Sequence, residues 1–378
     1  METKSFRKRI VGIVAMVFAV ACFVLFMQEF YFRRIDHNNV RLEGFYLEEK
    51  DSLDVVVVGA SGLYSGWNAG EAYRTQGFTS YPYCFQYNPV SFWKYELRDV
   101  IDRQHPSVLV IDVNGLTYED HRLYEEGSVR NLADSMPMSA NKRALIDEMG
   151  TEDKLSYYLP IMKYHDVLHA KSAFDLLSMR MRGYAVLRGA FTHSYVKTKK
   201  GASDGDEKGK KDFPSEITEK SMAHFNEVLD MLDESGIQNV LFVRTPQFYS
   251  SADETKRAEM CRQAGEIAMS RGYDYLDLND YLDEMALDRD ADFYDPGHMV
   301  APGQRKFTDF FAKYLVEKYG FEPREQSEKQ REEWEKSAEY TLKYYELYDK
   351  FRAEHPDSKE QDYNFKDDVK TMRLLDEM

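Results

Sequence analysis

Asp54-Val55-Val56-Val57-Val58-Gly59 sets four consecutive valines between an aspartate and a glycine, and Ala60-Ser61-Gly62 follows at once. Valine is stiff at χ1 and suits a pleated strand. A continuous apolar run, rather than an alternating one, predicts a strand covered on both faces, as in a parallel sheet flanked by helices. Three more stretches read the same way: Ser107–Asp112 after Pro106, Asn239–Val243 closed by Thr245-Pro246, and the weaker Tyr273–Asp277. Helical periodicity over 91–104, 215–235, 253–271 and 303–318 separates them. Strands alternating with helices predict a three-layer α/β/α domain with a parallel sheet. Chemistry in such sheets gathers at the carboxyl ends of the strands.

Upstream of the valine run, Ile10 to Met27 is uninterrupted and apolar, with Lys4, Arg7, Lys8 and Arg9 before it and Arg33 and Arg34 after. As a helix it spans roughly 27 Å, close to the thickness of a bilayer's hydrocarbon core. The run is longer than the apolar core of a cleaved signal. Ala19-Val20-Ala21-Cys22 is a poor lipoprotein box inside it. An uncleaved transmembrane anchor over 10–27 is expected. The basic cluster at its start predicts a cytoplasmic 1–9 and an extracytoplasmic remainder, although the arginine pair after the run argues the other way.

Residues 36–53 read as a polar connector into the main domain, 36–320. Within it, a long insertion of about 117–213 falls between the second and third strands of this reading. Helices are expected there at 140–150 and 164–188, followed by a charged, Gly-containing stretch at 197–211. Such an insertion caps the strand ends or decorates the domain elsewhere; its sequence fits both. From 321 to 378 the composition shifts to Glu, Lys and Tyr. Trp334, Ala338, Thr341, Tyr345 and Tyr348 recur at helical spacing, which predicts a charged tail helix packed on the domain by one face.

The net charge of −16 over 378 residues opposes nucleic-acid binding, which needs a basic footprint to displace counterions. Cys22, Cys84 and Cys261 form no C-x-x-C pair, so neither a zinc site nor a redox motif is indicated. His165 and His169 stand i, i+4, but no third ligand at a diagnostic spacing accompanies them. No metal and no cofactor is expected.

Ser61, directly after a buried parallel strand, stands where a nucleophile belongs. Far downstream, Asp295-Pro296-Gly297-His298 places an acid and an imidazole three residues apart just before a helix. An Asp–His hydrogen bond there fixes the imidazole tautomer and leaves the other ring nitrogen to take a proton from Ser61. Gly59-Ala60-Ser61 and Asp295-Pro296-Gly297-His298-Met299-Val300-Ala301-Pro302-Gly303, in that chain order, resemble the first and last blocks of the SGNH (GDSL-like) hydrolases over roughly residues 54–318. The resemblance implies Ser61 as nucleophile, His298 as base and Asp295 as its orienting partner. It puts Asn114, in Val113-Asn114-Gly115, at the oxyanion-hole position beside the Ser61 backbone N–H; a plain Asn-Gly turn is the other reading of those residues. The family's oxyanion glycine has no counterpart in Phe85-Gln86-Tyr87-Asn88.

Arg244, after the third strand of this reading, is a candidate to meet an anionic substrate group, or else forms an ion pair. The resemblance implies a serine acyl-esterase or O-acyltransferase. Combined with the anchor, it implies action on a cell-envelope polysaccharide or other acylated polymer, with a membrane acyl-donor protein as a partner if the reaction is transfer. The missing glycine leaves a second expectation: a catalytically silent SGNH-like module that binds a glycan or an assembly partner.

Overall fold

The computed structural model describes residues 2–32, 34, 36–150, 153–167, 186–193, 213–248, 252–356, 365–366 and 369–378. Arg33, His169, most of the expected 164–188 helix and the 197–211 stretch lie outside them. The described strands are β1 (Val55–Gly59), β2 (Ser80–Cys84), β3 (Val108–Asp112), β4 (Phe191–Thr192), β5 (Asn239–Arg244), β6 (Asp274–Asp277), β7 (Phe293–Asp295), β8 (His298–Met299) and β9 (Phe365–Lys366).

Five of them form one sheet in the order β2-β1-β3-β5-β6, every neighbouring pair parallel. The order reverses direction beside β1, so the chain after β1 emerges at the switch point where open α/β sheets bind ligands. All four valines of β1 are fully buried. Val56 and Val58 join one core with Phe45, Phe92, Trp93 and Phe225; Val55 and Val57 join the opposite core with Leu63, Trp67, Phe307 and Phe311. The valine run is continuous because each face of the sheet has its own helical layer: the fold is three-layer α/β/α.

Two elements differ from the sequence reading. The edge strand β2, Ser80-Tyr81-Pro82-Tyr83-Cys84, was absent from it, because a proline and a lack of aliphatic residues mask the strand pattern. Pro82 lacks a backbone donor and is tolerated at the edge of a sheet. Residues 36–53 hold a helix rather than a plain connector. Asp36 caps helix α2 (His37–Leu47) by accepting from the Asn38 and Asn39 N–H groups, and Leu42 and Phe45 are fully buried. The helix presents polar and apolar side chains alike to the interior, which hid its periodicity.

Helix α1 (Glu2–Phe30) is long and apolar enough over Phe6–Phe30 to cross a membrane. At the other end, the helix Glu328–Glu354 starts in a capping box between Ser327 and Gln330 and buries Trp334, Thr341, Tyr344, Tyr345 and Tyr348. Its packing face is the aromatic one that the sequence spacing marks.

Candidate active site

β1 delivers Ser61 as the first residue of a short helix, α3 (Ser61–Gly66), at the carboxyl edge of the sheet. His298 arrives from the turn between β7 and β8, which pair antiparallel with Asp295 opposite His298. The helix Ala301–Tyr319 follows and packs against α3. Buried polar side chains fix this seam. The Met299 N–H donates to Ser65 Oγ at 3.1 Å, and the Ser65 hydroxyl donates to Gly62 O at 3.0 Å. Gln304 Nε2 donates to Ser65 O and to Phe191 O at 3.1 and 3.2 Å, and the Thr308 hydroxyl donates to Gly66 O at 2.8 Å. With each donor buried and matched, sliding one helix past the other would strand several polar groups at about 1–3 kcal/mol each.

The result is a continuous chain of hydrogen bonds. His298 Nδ1–H donates to Asp295 Oδ1 at 2.7 Å, which leaves Nε2 to accept from the Ser61 hydroxyl at 2.8 Å. The Gly297 and His298 backbone N–H groups also donate to Asp295 Oδ1, at 2.9 and 3.0 Å. Burial works against a charge on Asp295. The bond and charge of His298, the Gly297 N–H and nearby His193 outweigh it and hold the carboxyl below its ordinary value. His298 and Asp295 remain 28% and 26% exposed, so the site opens to solvent.

Asn114 lies in the turn after β3, and its side chain is spent within the protein. Its amide donates to Asp112 Oδ1 at 2.7 Å and to Thr245 Oγ1 at 3.1 Å, and its carbonyl faces Cys261 Sγ at 3.7 Å. Burial pushes Asp112 up to about 6, against the bonds from Asn114. In the loop where the resemblance expects a glycine, Tyr87 and Asn88 take left-handed backbone (φ 71° and 43°). The glycine-like conformation is kept without glycine, at about 1–2 kcal/mol per residue. Asn88 Nδ2 ties that loop to Gly59 O at 3.0 Å.

Arg244 is buried and donates to Asp277 Oδ2 at 3.1 Å. Of the two expectations for it, the ion pair is the one present, and it lies inside rather than on the surface. Cys84 and Cys261 are buried free thiols. His165 follows a four-residue helix, Ile161–Tyr164. Among the described residues, no group of three His, Cys, Asp or Glu side chains is arranged to hold a metal.

One site residue escaped the sequence reading. His193, at the end of β4 in the insertion, bridges to Val300 and stacks on Tyr294 with centroids 3.9 Å apart. Its ring meets His298 edge-on at 5.6 Å. Phe191 packs on Tyr64 and His37 beside it. Residues 191–193 of the insertion therefore wall the site. The tail helix holds that wall: Tyr344 bonds Thr192, and Arg188 pairs with Glu48 and bonds Ser337. No sequence motif marks His193; only its place between Phe191 and the tail contacts does. A separate cleft of about 510 Å³ opens between the end of α1, α2 and residues 134–160, and shares no residue with the Ser61 site.

No protein-family model matches the chain, and no curated protein matches it. Among solved structures it is similar to a gut microbial diltiazem-metabolizing enzyme, with a TM-score of 0.35 and 10% identity over 72% of this chain. The chain spans about half the length of that protein, 48%.

Proposed function

We propose that the chain is a membrane-anchored, extracytoplasmic serine acyl-esterase or O-acyltransferase that acts on a cell-envelope polymer through an acyl-enzyme. One observation carries the reading: the unbroken Ser61–His298–Asp295 hydrogen-bond chain at the carboxyl edge of a parallel sheet. Ser61 Oγ attacks the acyl carbon while its proton passes to His298 Nε2. The imidazolium, stabilised by Asp295, returns that proton to the departing alkoxide. Water or a polymer hydroxyl then takes the acyl group from Ser61 by the same steps in reverse. Transfer calls for a membrane acyl-donor protein as partner. The apolar helix α1 supports a substrate held close to the membrane.

The second reading, a silent SGNH-like module that binds a glycan or an assembly partner, is favoured by the full engagement of Asn114's amide. Fluorophosphonate labelling of the full chain in detergent, with mapping of the modified residue, separates the two. Label on Ser61 is expected, and its absence from the folded protein leaves the binding module in front. With a small acyl ester, Ser61→Ala and His298→Ala should each remove most turnover, and the double variant should be little worse. Asp295→Ala should retain about 10²-fold more activity than Ser61→Ala, since it orients the base rather than supplying one.

A further inference from the structure

An oxyanion formed on Ser61 needs donors, and Asn114 has none left to give. An amide nitrogen carries two protons. One of Asn114's goes to Asp112 Oδ1 and the other to Thr245 Oγ1. Its carbonyl accepts from Cys261, and its backbone N–H donates to Asp112 Oδ1 at 3.1 Å. The turn after β3 is thus locked at both ends.

The hydroxyl that Asn114 reaches is in the opposite condition. Thr245 follows β5 at the carboxyl edge of the sheet and is 1% exposed. Its oxygen accepts from Asn114, but its own proton meets no acceptor among the described residues. Its position is defined by glycine: a Cβ placed on Gly62 would lie 3.1 Å from Thr245 Oγ1 and 3.3 Å from Gly297 O. Gly62 follows Ser61, and Gly297 precedes His298. The hydroxyl therefore packs against Gly62 at the seam between the two halves of the site, an approach that the missing side chain at position 62 allows. The strand end that carries it is tethered as well. Asn279 Nδ2 donates to Thr245 O at 3.1 Å, and the Phe248 N–H donates to Pro296 O at 2.8 Å, in the His298 turn itself.

We propose that the Thr245 hydroxyl is an oxyanion donor of this site, acting with the Ser61 N–H, and that Asn114 is a positioning residue that acts through it. The inference rests on the acyl-enzyme reading above. As the Ser61 Oγ–carbon bond forms, the carbonyl π pair moves onto oxygen and the Ser61 proton moves to His298 Nε2. The Thr245 O–H and Ser61 N–H then donate to the new oxyanion. On collapse the pair returns to the carbonyl and the alkoxide leaves with the proton from His298. Donation from Asn114 occupies one lone pair of Thr245 Oγ1, which turns the hydroxyl proton away from Asn114 and strengthens it as a donor.

The test is turnover of p-nitrophenyl acetate by the full chain in detergent, with fluorophosphonate labelling of the same preparations. Thr245→Val keeps the shape and removes the hydroxyl; Thr245→Ser keeps the hydroxyl and removes a methyl. The valine variant should lose about 10²- to 10³-fold in kcat with KM little changed, the usual effect of deleting one oxyanion donor. The serine variant should stay within about tenfold of the parent, far above the valine variant. Asn114→Ala should lower kcat in the parent but add little to Thr245→Val, because its effect passes through the hydroxyl. If Thr245→Val does not fold, Thr245→Ala takes its place in the comparison with serine. A parent that labels on Ser61 while the hydroxyl-free variant turns over normally, or while serine is as damaged as valine, overturns the role of Thr245 alone. A parent that takes no label on Ser61 overturns the acyl-enzyme reading and this inference together.

Discussion

Ser61, Asp295 and His298 were legible because each sits in a short block whose neighbours announce its setting: a valine strand before the serine, a helix after the histidine. The engagement of Asn114 was not. Its amide is committed to Thr245, 131 residues away, and that contact exists only because β3 and β5 are neighbours in the sheet. A side chain's direction is set by strand order, which four separated runs of apolar residues do not state. The same holds for Asp309, half-buried on the helix Ala301–Tyr319 and facing fully buried Glu71. Burial first, then the charge and hydrogen bond of Glu71, push Asp309 up to about 6. A carboxyl raised from 3.8 costs the folded state nothing below that value and its full penalty above about 6. Asp309→Asn should therefore melt higher than the parent at pH 8, and the gap should close as the pH falls from about 6 to 4. A difference in melting temperature that stays flat from pH 4 to 8 would show that the pair does not titrate this way.

At the level of elements, period and length sufficed for four of the five sheet strands and for the tail helix. They failed for β2, where Pro82 breaks the pattern, and for α2, where buried Asn38, Asn39 and Arg41 imitate a polar surface. Neither failure reflects a weak element: β2 is fully buried, and on α2 Asn39 donates to Ser135 and Asn38 accepts from the Gln86 N–H, partners far along the chain. The tail shows how tightly two elements can be matched. Helix α4 (Ala69–Gln76) packs on the helix Glu328–Glu354, and a Cβ on Gly70 would fall 2.2 Å from Thr341 Oγ1 and 2.9 Å from Ser337 O. The hydroxyl can rotate, but the backbone carbonyl cannot, so Gly70→Ala should push the tail helix outward. Overpacking of this kind costs about 1–3 kcal/mol. Gly70 lies in the first turn of α4, where alanine recovers less than the about 1 kcal/mol it brings to a helix interior. The expected outcome is a lower melting temperature by calorimetry. An unchanged or higher value would mean that the two helices have slack between them.

For the molecule as a whole, the orientation of α1 remains a proposal that rests on the basic residues before it. The native cysteines make a clean background for testing it: Cys84 and Cys261 are buried and Cys22 lies within the apolar helix. With Ser203→Cys added, a membrane-impermeant maleimide should label the protein on intact cells, and labelling that requires lysis would reverse the topology. The site itself also depends on distant parts of the chain. Ser61 and His298 stand 237 residues apart, and Thr192, beside His193, is held by Tyr344, which lies 152 residues after Thr192 itself. At about 5–20 residues per second of synthesis, His298 leaves the ribosome about 10–50 s after Ser61. Until then Ser61 lacks its hydrogen-bond partner, and until the tail follows, the wall of the site has no clasp. Time thus acts as a safeguard: on the acyl-enzyme reading, a chain made only as far as its middle stays inert, because the parts that complete the site are delivered later.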